Sequence, residues 1–534
     1  MEKRRTQTIR GVEYVYEPYE EWDEKKGRNV SKRRYLGKMA DGRFVPNKAY
    51  ALSERMKQLG VTGPAEVYGS SVKARACGAT EFFTLLSRRL GVSDDLEACF
   101  PGDWKAILSL GYYLGLDFGI PLNRFHRWAL THEHPAGGDL ADEELISLMK
   151  RIRPDAVRDF LGRQASRRAG RDVVLYVHDV YLSLEETAVL LGQGADPAEL
   201  PRRTLFTLYS AQAGLPFAFL LAEPGEGGGP ESLERLRDRL DALGVSRPTV
   251  ISSTLFADRR SVGWMLRNGW HFILSVRRPV ETFESHFGKL RFPSDEETAE
   301  EPWRRNPLLG IDEQTRVLRW ETPGREGEPG KLRRLWAHGY YDPGFALAAS
   351  PDASGRRKIP SLLGDYGEKP VTYYHTFAGG LASRYGVRLM PNALAWSSVR
   401  NQGFSMLLTN SEKEAFAAAN AFRRQDFQYD LFSNLAERFY LRPFSYGGSE
   451  PEGVLLAQVF LQFLGLVFFD ATRKEHSRSG LWAEMFHTSL LDELDTIQRY
   501  TQPGKGARVS ALTPYQKEIY GKLGIRPPGS GRVR

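Results

Sequence analysis

A series of short apolar runs between residues 171 and 276 constrains the fold more than any other part of this 534-residue chain. The first run, VVLYV (173–177), is continuously apolar and ends at His178 and Asp179. Such a run is typical of a strand that is buried on both faces and carries polar groups at its end. Further runs predict two strands of a meander, an amphipathic helix and a strand–helix–strand unit, at 204–212, 215–223, 231–244, 249–253, 259–268 and 271–276. Consecutive strands followed by strand–helix alternation predict an α/β unit.

The segments before this unit have two different patterns. Residues 8–48 alternate Val, Tyr and Glu, and the turn signals 26–29 and Asp41-Gly42 interrupt the alternation, which predicts short strands. Residues 78–166 have helical periodicity, with Pro and Gly between the periodic pieces. The predicted helices lie at 81–90, 104–116 and 142–161. Short helices with basic residues between them are compatible with a DNA-facing module and equally with a plain helical bundle.

The segments after the α/β unit also divide into distinct parts. Between about 280 and 400, Gly, Pro and charged residues are frequent, and alternating pieces at 316–322 and 331–341 predict a β-rich insertion. A core strand at 403–410 and a helix at 412–441 follow, and the helix can break near Asp426. The apolar run 454–469 is shorter than the ~20 residues of a membrane helix. It also contains two glutamines, so we predict a core helix and no membrane partner.

Charge and cysteine content limit the partners and the compartment. The formal net charge is +8, and it is concentrated at the two ends, with +5 in residues 1–50 and +6 in residues 501–534. Basic ends on a mildly acidic body are compatible with a polyanionic partner and equally with charges that only keep the protein in solution. The two cysteines, Cys77 and Cys99, are too few for a disulfide framework or a four-thiolate zinc site. The N-terminus has no apolar signal-peptide core, so we expect a reducing, cytoplasmic location.

The order of these elements resembles that of the DDE transposases of bacterial insertion sequences. The resemblance is carried by the Tyr-Leu-Gly-Lys segment, by VVLYVHDV, by the Gly-Leu-Pro strand with its following helix, and by two later strand–helix regions, at 35–38, 173–180, 213–240, 249–276 and 403–432. It implies an α/β fold with a ribonuclease H-like core, an inserted β-rich domain, an N-terminal β plus helical region and a helical C-terminal region. It also implies double-stranded DNA as the partner, a homodimer, and a bacterial cytoplasmic location at the nucleoid.

The resemblance also implies which residues would form the active site. In the family, three carboxylates hold two divalent ions that activate a hydroxyl group against a phosphodiester. Transferred to this chain, the first carboxylate is Asp179, whereas Ser253 occupies the position of the second. The spaced Tyr, Arg, Glu and Lys of the family's last catalytic helix fall on Phe422, Gln425, Tyr429 and Ala436. Serine and tyrosine are neutral at pH 7. We therefore expect a catalytically inactive protein without a cofactor, with Mg²⁺ at Asp179 only if activity survives.

Several alternatives stay open from the sequence alone. Asp258 and Asp426 lie close enough in sequence to replace the lost carboxylates, which would give an active Mg²⁺-dependent transposase or nuclease. A transposase-derived scaffold that binds protein is another alternative. His178 either tunes the pKa of Asp179 or is simply a histidine at a strand end. The motif 132–134 (His-Glu-His) is a weak metal motif without a Cys or third His near it in sequence, and we predict loop histidines there.

Paired basic residues are the candidates for DNA binding, because phosphate contacts need only distributed Lys and Arg. The predicted DNA-binding residues are Lys32, Arg33, Arg34, Arg167, Arg168, Arg202, Arg203, Arg423 and Arg424. Together these expectations divide the chain into an N-terminal β-region, a helical DNA-binding region, the first part of the core, the β-rich insertion, the second part of the core, and a C-terminal helical region with a basic tail. The six predicted segments are 1–60, 61–168, 169–280, 281–401, 402–440 and 441–534.

Overall fold

The computed structural model of the chain describes most of the regular elements and leaves several connections undescribed. The described residues are 4–9, 11–23, 28–40, 42–47, 50–51, 73–116, 121–138, 140–170, 172–181, 202–223, 227–252, 255–276, 304–306, 310–322, 331–341, 404–433, 435, 439, 451–502 and 505–529. Within them the protein is a mixed α/β structure with twelve α-helices and three β-sheets. This confirms the predicted α/β class.

The N-terminal residues form a four-stranded antiparallel sheet in chain order. Its strands are β1 (Arg5–Ile9), β2 (Val12–Asp23), β3 (Arg28–Ala40) and β4 (Arg43–Pro46). Gly42 has a φ of +73°, a backbone conformation that favours glycine, in the turn between β3 and β4. The N-terminal strands and the turn at Gly42 are confirmed, although β2 and β3, with 12 and 13 residues, are not short. Of the turn predicted at 26–29, the first two residues lie outside the described residues and the last two belong to β3.

A short strand and six helices follow. They are β5 (Lys73–Ala76), α1 (Gly78–Arg89), α2 (Val92–Cys99), α3 (Trp104–Leu116), α4 (Phe125–Thr131), α5 (Asp142–Arg151) and α6 (Pro154–Arg168). The single helix predicted over 142–161 is wrong, because the chain forms two helices there. Arg153 is extended, with φ −90° and ψ 145°, and Pro154 begins the next helix. Proline disfavours a helical conformation in the residue before it and is well suited to the first turn of a helix.

The central α/β unit contains every element that the apolar runs predict. Its elements are β6 (Val173–Tyr181), β7 (Arg202–Ser210), β8 (Leu215–Leu221), α7 (Pro230–Asp241), β9 (Thr249–Ser252), α8 (Arg259–Arg267) and β10 (His271–Ser275). The first three strands are an antiparallel meander. β9 pairs in parallel with β6, and β10 pairs in parallel with β9. The sheet order through this unit is β8-β7-β6-β9-β10.

Three strands of the predicted insertion continue this same sheet, namely β11 (Arg304–Asn306), β12 (Ile311–Thr322) and β13 (Lys331–Tyr341). The predicted core strand that follows the insertion is β14 (Phe404–Thr409). β14 pairs antiparallel with β10 on one side and with β13 on the other, which gives nine strands in the order β11-β12-β13-β14-β10-β9-β6-β7-β8. Adding strands at β10 satisfies backbone groups that an open sheet edge would leave unpaired. The described strands of the insertion are therefore part of the central sheet and not a separate one.

The helix after β14 is continuous. α9 (Ala415–Ser433) runs through Asp426, so the break predicted there is wrong. An Asp in a helix interior costs only about 0.7 kcal/mol relative to Ala. Packing offsets that cost, because Ala418, Ala419 and Phe422 of α9 are buried. The helix lies against the sheet and contacts β6.

The C-terminal part centres on one long buried helix. Its elements are α10 (Pro451–Arg478), α11 (His487–Asp495), β15 (Gln498–Gln502), β16 (Lys505–Val509) and α12 (Pro514–Leu523). The predicted core helix at 454–469 is confirmed within α10. Among the described residues, only this helix is long and apolar enough to cross a membrane, and 94% of its apolar window is buried inside the protein. A core helix has the same length and composition, and α10 packs on α3 and β8.

The chain divides into two compact units. The first comprises residues 1–74 and 499–509, and the second comprises 75–498 and 510–534. Among the described residues of the first unit, the buried apolar side chains are Val15, Tyr16 and Leu36. The second unit contains the nine-stranded sheet and all twelve helices. The finer division into six segments stays a prediction.

Candidate functional site

Helix α9 is joined to strand β6 by neutral hydrogen bonds. The side-chain amide of Gln425 donates to the carbonyl oxygen of Val177. Gln428 Oε1 lies 3.0 Å from His178 Nε2 and also accepts from the hydroxyl of Thr207 on β7. His178, Thr207, Gln425 and Gln428 are all buried. This strand–helix junction therefore connects the strand that carries Asp179 with the helix that carries Tyr429.

The bonds at the junction determine the tautomer of His178. Because Gln428 Oε1 only accepts, the imidazole must donate through Nε2, which leaves Nδ1 without a proton. Burial lowers the pKa of His178 to about 3, although the hydrogen bond to Gln428 works in the opposite direction. His178 is thus neutral at pH 7 and carries no charge that would tune a neighbouring carboxylate.

Three buried polar atoms of β6 and α9 have no hydrogen-bond partner among the described residues. They are His178 Nδ1, Gln425 Oε1 and Gln428 Nε2. Ser252 pairs with Val177 in the parallel register, so its side chain is on the face of the sheet opposite to that of His178 and does not belong to this group. Buried polar atoms are normally satisfied by protein or by ordered water. These unpaired atoms can therefore hydrogen-bond to a water molecule or another small polar group.

The predicted catalytic positions are only partly described. Asp179 lies in β6 opposite Thr204 of β7, and Asp426 and Tyr429 lie in α9. Their side chains lie outside what the structure describes. Ser253 is also outside the described residues and directly follows Ser252, the last residue of β9. The parallel pairing brings the ends of β6 and β9 to one edge of the sheet, but the proposed roles of these four residues stay predictions.

Asp258, the first suggested substitute ligand, caps helix α8. Its Oδ1 accepts from the backbone amides of Arg260 and Ser261 at 2.9 and 3.0 Å, and its Oδ2 accepts from the hydroxyl of Ser261. Partial burial works to raise the pKa of Asp258, but these hydrogen bonds lower it below the usual value. The capping role accounts for both carboxylate oxygens.

The described residues at the junction do not fit a pair of Mg²⁺ ions. Such ions require several anionic oxygen ligands. The groups that join β6, β7 and α9 are two amides, one hydroxyl and one neutral imidazole. The carboxylate of Asp258 accepts hydrogen bonds from backbone amides of α8. We therefore derive no metal-dependent step from this junction.

Three of the predicted DNA-binding arginines make internal contacts. Arg167 forms two hydrogen bonds of 2.9 Å with the buried carboxylate of Asp95. Arg168 donates to the carbonyl oxygens of Leu90 and Pro216, and burial lowers its pKa to about 10. Arg203 is buried and donates to the carbonyl oxygen of Ala222. These side chains hold α6 to α2 and stabilise the β7–β8 meander.

Arg424 also belongs to an internal network. Its guanidinium lies 5.2 Å from the ring centre of Tyr209 and 3.8 Å from Asp470 Oδ1. Tyr209 donates to Asp470 Oδ2 at 2.7 Å. Burial raises the pKa of Asp470 to about 6, although Arg424 and the Tyr209 hydroxyl work to lower it. Arg423 is half-buried, and the side chain of Arg202 lies outside what the structure describes.

The three predicted residues of β3 are more accessible. Lys32 and Arg33 are exposed, and Arg34 is half-buried. Arg33 lies over the ring of Tyr16 at 5.2 Å, and Arg34 lies over Tyr19 at 5.6 Å. The neighbouring strand β2 is acidic, and Glu17 stands opposite Arg34. Lys32 and Arg33 are therefore exposed members of the predicted set, as is Arg167, whose guanidinium is paired with the buried Asp95.

A second cluster of polar groups lies apart from the junction, in the helical part of the second unit. Cys77 Sγ and carboxylate oxygens of Glu81 and Glu133 all lie within 4.8 Å of one another, an arrangement that can hold a metal ion. The sequence around the motif 132–134 contains no cysteine. In the fold, Cys77 lies beside Glu133, because Ala76 and His132 form an isolated β-bridge. Pairing across 56 residues is not visible in local sequence patterns.

The two histidines of the motif have other contacts. His132 Nε2 pairs with Asp495 Oδ2 at 2.7 Å, and its ring stacks on Trp128 at 5.0 Å. His134 Nδ1 lies 3.1 Å from the hydroxyl of Ser109.

No protein-family model matches the chain, and no curated protein matches its sequence at a significant level.

Proposed function

We propose that this protein binds double-stranded DNA as a catalytically inactive relative of the insertion-sequence transposases. The observation that carries the proposal is the connectivity of the central sheet. Three antiparallel strands are followed by two strands parallel to the first of them, in the order β8-β7-β6-β9-β10. A later helix, α9, then packs on the central strand β6. This connectivity supports the ribonuclease H-like core that the sequence resemblance implies.

The composition of the junction supports the absence of catalysis. A working centre needs carboxylates from β6, from the end of β9 and from α9. Ser253 and Tyr429 are neutral, and Gln425 and Gln428 use their amides to hold α9 on β6. Asp179 is then the one acid left at the three positions. A single carboxylate offsets only a small part of the charge of two divalent ions.

The exposed basic residues of β3 support the DNA-binding part of the proposal. Lys32 and Arg33 are exposed on the N-terminal sheet, and Tyr35, on the same face of β3 as Arg33, is 39% exposed. Exposed Lys and Arg neutralise phosphates, and aromatic rings stack on bases. The contacts of Arg167, Arg168, Arg203 and Arg424 are internal, so we assign these four to folding. A cytoplasmic location at the nucleoid and a homodimer belong to the same proposal.

Salt dependence of DNA binding tests the proposal. Wild-type protein is titrated into a fluorescent DNA duplex over a series of salt concentrations, and log K is plotted against log salt concentration. We expect a steep linear decrease, because each neutralised phosphate contributes a slope of about −0.9. The double variant Lys32→Ala/Arg33→Ala should reduce the magnitude of the slope by about 2, since each lost phosphate contact lowers it by about 1.

A charge-matched control separates specific contacts from net charge. Arg259→Ala/Arg267→Ala removes two exposed charges from α8, outside the predicted helical DNA-binding region, and should leave the slope unchanged. Circular dichroism of both double variants checks that they fold. Equal slopes for the β3 variant, the control and the wild type would remove Lys32 and Arg33 from the interface.

Cleavage assays on the same duplexes in Mg²⁺ and Mn²⁺ test whether the protein lacks nuclease activity. We expect no strand cleavage by the wild type. Metal-dependent cleavage that is lost in Asp179→Ala would contradict the proposal and favour an active transposase with relocated carboxylates. Absent or salt-insensitive DNA binding would instead favour a protein-binding scaffold.

A further inference from the structure

The cluster of Cys77, Glu81 and Glu133 is held in place by backbone hydrogen bonds. Cys77 directly precedes α1, and its amide donates to the carbonyl oxygen of Ile497 at 2.8 Å. Glu81 lies one helical turn later on the same side of α1, since residues four apart are neighbours on a helix. Glu133 follows α4, and its amide donates to the carbonyl oxygen of Ala76 at 2.8 Å. Three separate backbone positions are thus fixed around one point.

The size of the cluster fits a metal ion. Three atoms that are at most 4.8 Å apart all lie within about 2.8 Å of a common point, because the circle around them has a radius of at most 4.8/√3 Å. Zinc bonds are about 2.3 Å to sulfur and about 2.0–2.2 Å to carboxylate oxygen. Inward shifts of less than about 1 Å would bring all three atoms to bonding distance.

Tyr520 provides an independent observation at the same place. It belongs to α12, its side chain is 2% exposed, and its hydroxyl has no hydrogen-bond partner among the described residues. The carboxylate of Glu81 and the thiol of Cys77 are close enough to the Tyr520 hydroxyl to interact with it electrostatically. A buried hydroxyl without a partner destabilises the folded state. A water molecule bound to a metal ion beside it would remove that cost.

One sulfur and two carboxylate oxygens as ligand atoms favour zinc over other divalent ions. A thiolate is a soft ligand that favours zinc over Mg²⁺ or Ca²⁺, and carboxylates complete many zinc sites. A thiolate and two carboxylates carry three negative charges, which a divalent cation reduces to one. Cys77 is fully buried, whereas Glu81 and Glu133 are half-buried, so an ion has access from the carboxylate side.

We propose that Cys77, Glu81 and Glu133 bind one zinc ion, with a bound water that hydrogen-bonds to Tyr520. The ion ties the start of α1 to the segment after α4, in the second unit, and its role is structural. The proposal is independent of DNA binding.

Cobalt spectroscopy on the full-length chain tests the thiolate ligand. Metal-free protein is titrated with Co²⁺, and we expect one equivalent to give cobalt–thiolate charge-transfer absorption and visible bands of tetrahedral cobalt, both removed by Zn²⁺. Cys99→Ser is the matched control, since the chain has only two cysteines. It should give the wild-type spectrum, whereas Cys77→Ser should lose the charge-transfer band. No charge-transfer band in the wild type, or an unchanged band in Cys77→Ser, overturns the proposal.

Zinc affinity tests the carboxylates with variants that preserve side-chain size. Loss of a group that only orients a ligand typically costs about 10–100-fold in metal affinity. We therefore expect Glu81→Gln and Glu133→Gln to weaken Zn²⁺ binding by at least about 100-fold, and Tyr520→Phe by about tenfold. Glu143→Gln, an exposed residue of α5, should bind zinc as the wild type does. Equal zinc affinity in the wild type and in both ligand variants overturns the proposal, whatever Cys77→Ser shows.

Discussion

Two buried titratable residues of the second unit, His178 and Asp470, have pKa values displaced in opposite directions. The pKa of His178 is lowered to about 3 by burial, and that of Asp470 is raised to about 6, also mainly by burial. Below pH 6.5 His178 binds a proton in the unfolded state but stays neutral in the folded state until the pH approaches its folded pKa of about 3. The free energy of unfolding therefore decreases as the pH falls through this range. Between pH 6 and 3.8 the folded state binds a proton at Asp470 that the unfolded state does not, so that contribution rises as pH falls.

The two effects oppose each other between about pH 6 and 4, and single variants should separate them. Relative to the wild type, Asp470→Asn should lose stability more steeply on acidification, and His178→Gln less steeply. The difference in slope should approach about 1.4 kcal/mol per pH unit for each residue. Urea denaturation followed by tryptophan fluorescence at several pH values measures it. Parallel curves for the wild type and both variants would show that neither group titrates as described.

At the scale of elements, the crossing of α3 and α10 organises the helices of the second unit. Two glycines allow the close approach. A Cβ at Gly115 would lie 2.8 Å from Phe468 Cβ, and a Cβ at Gly465 would lie 2.8 Å from Leu114 Cβ and 3.0 Å from the Leu114 carbonyl carbon. Backbone atoms cannot move aside as a flexible side-chain end can. The small residues of this crossing therefore have a packing function, which their place in an apolar run does not reveal.

Gly465→Ala should destabilise the protein although alanine favours helices. The helical preference alone would add about 1 kcal/mol of stability. Overpacking typically costs about 1–3 kcal/mol, and here it acts against the backbone of Leu114. Gly453→Ala, in the same helix with nothing within 4 Å of the added Cβ, is the control and should be neutral or stabilising. The melting temperatures of the two variants test this prediction. An equal increase in melting temperature for both variants would contradict the close approach of α3 and α10.

At the scale of the whole molecule, the two units differ in how much apolar surface they bury. The described part of the first unit has three buried apolar side chains, whereas the nine-stranded sheet of the second unit is covered by helices such as α9 and α10. Local stability follows the amount of buried apolar contact. The small N-terminal sheet should therefore open more often than the central sheet.

Hydrogen exchange measures this difference. We expect amides of β1–β4 to exchange faster than those of β6 and β7. Leu36→Ala should accelerate exchange in β1–β4 and leave β6 and β7 unchanged, since Leu36 is 2% exposed and a buried Leu→Ala change costs about 2–5 kcal/mol. Val45→Ala on β4, where the side chain is 42% exposed, is the control and should have little effect. Equal protection of both sheets in the wild type would refute the difference.

Much of the secondary structure could be predicted because it depends on local spacing. VVLYV, the meander and the strand–helix–strand unit match β6–β10 closely, since an apolar run or a helical period is a property of neighbouring residues. The structure differs from the local pattern at two points, the expected break near Asp426 and the expected single helix over 142–161. Tertiary packing outweighs the weak local preference of Asp426, and Pro154 holds Arg153 extended, which separates two helices.

The candidate sites were less predictable than the elements. Four arginines are part of basic pairs in the sequence, just as Lys32 and Arg33 are, yet their guanidinium groups interact with internal carboxylates and carbonyls. These four are Arg167, Arg168, Arg203 and Arg424. The side-chain amides of Gln425 and Gln428 hydrogen-bond to β6 because α9 packs on that strand, and this packing is not visible in the local sequence. Asp258 could have been recognised as a cap, because it directly precedes an amphipathic helix.

By itself the sequence determined which segments are strands and helices in the central unit, which of them are apolar, and that Ser253 and Tyr429 are neutral. Each of these follows from residue type and from spacing over a few residues. Only the tertiary structure decided that β11–β13 continue the central sheet, that four arginines pair with internal groups, and that Cys77 lies beside Glu133. These depend on contacts between residues tens to hundreds of positions apart, and such contacts are selected by packing and by backbone hydrogen bonding in the whole fold.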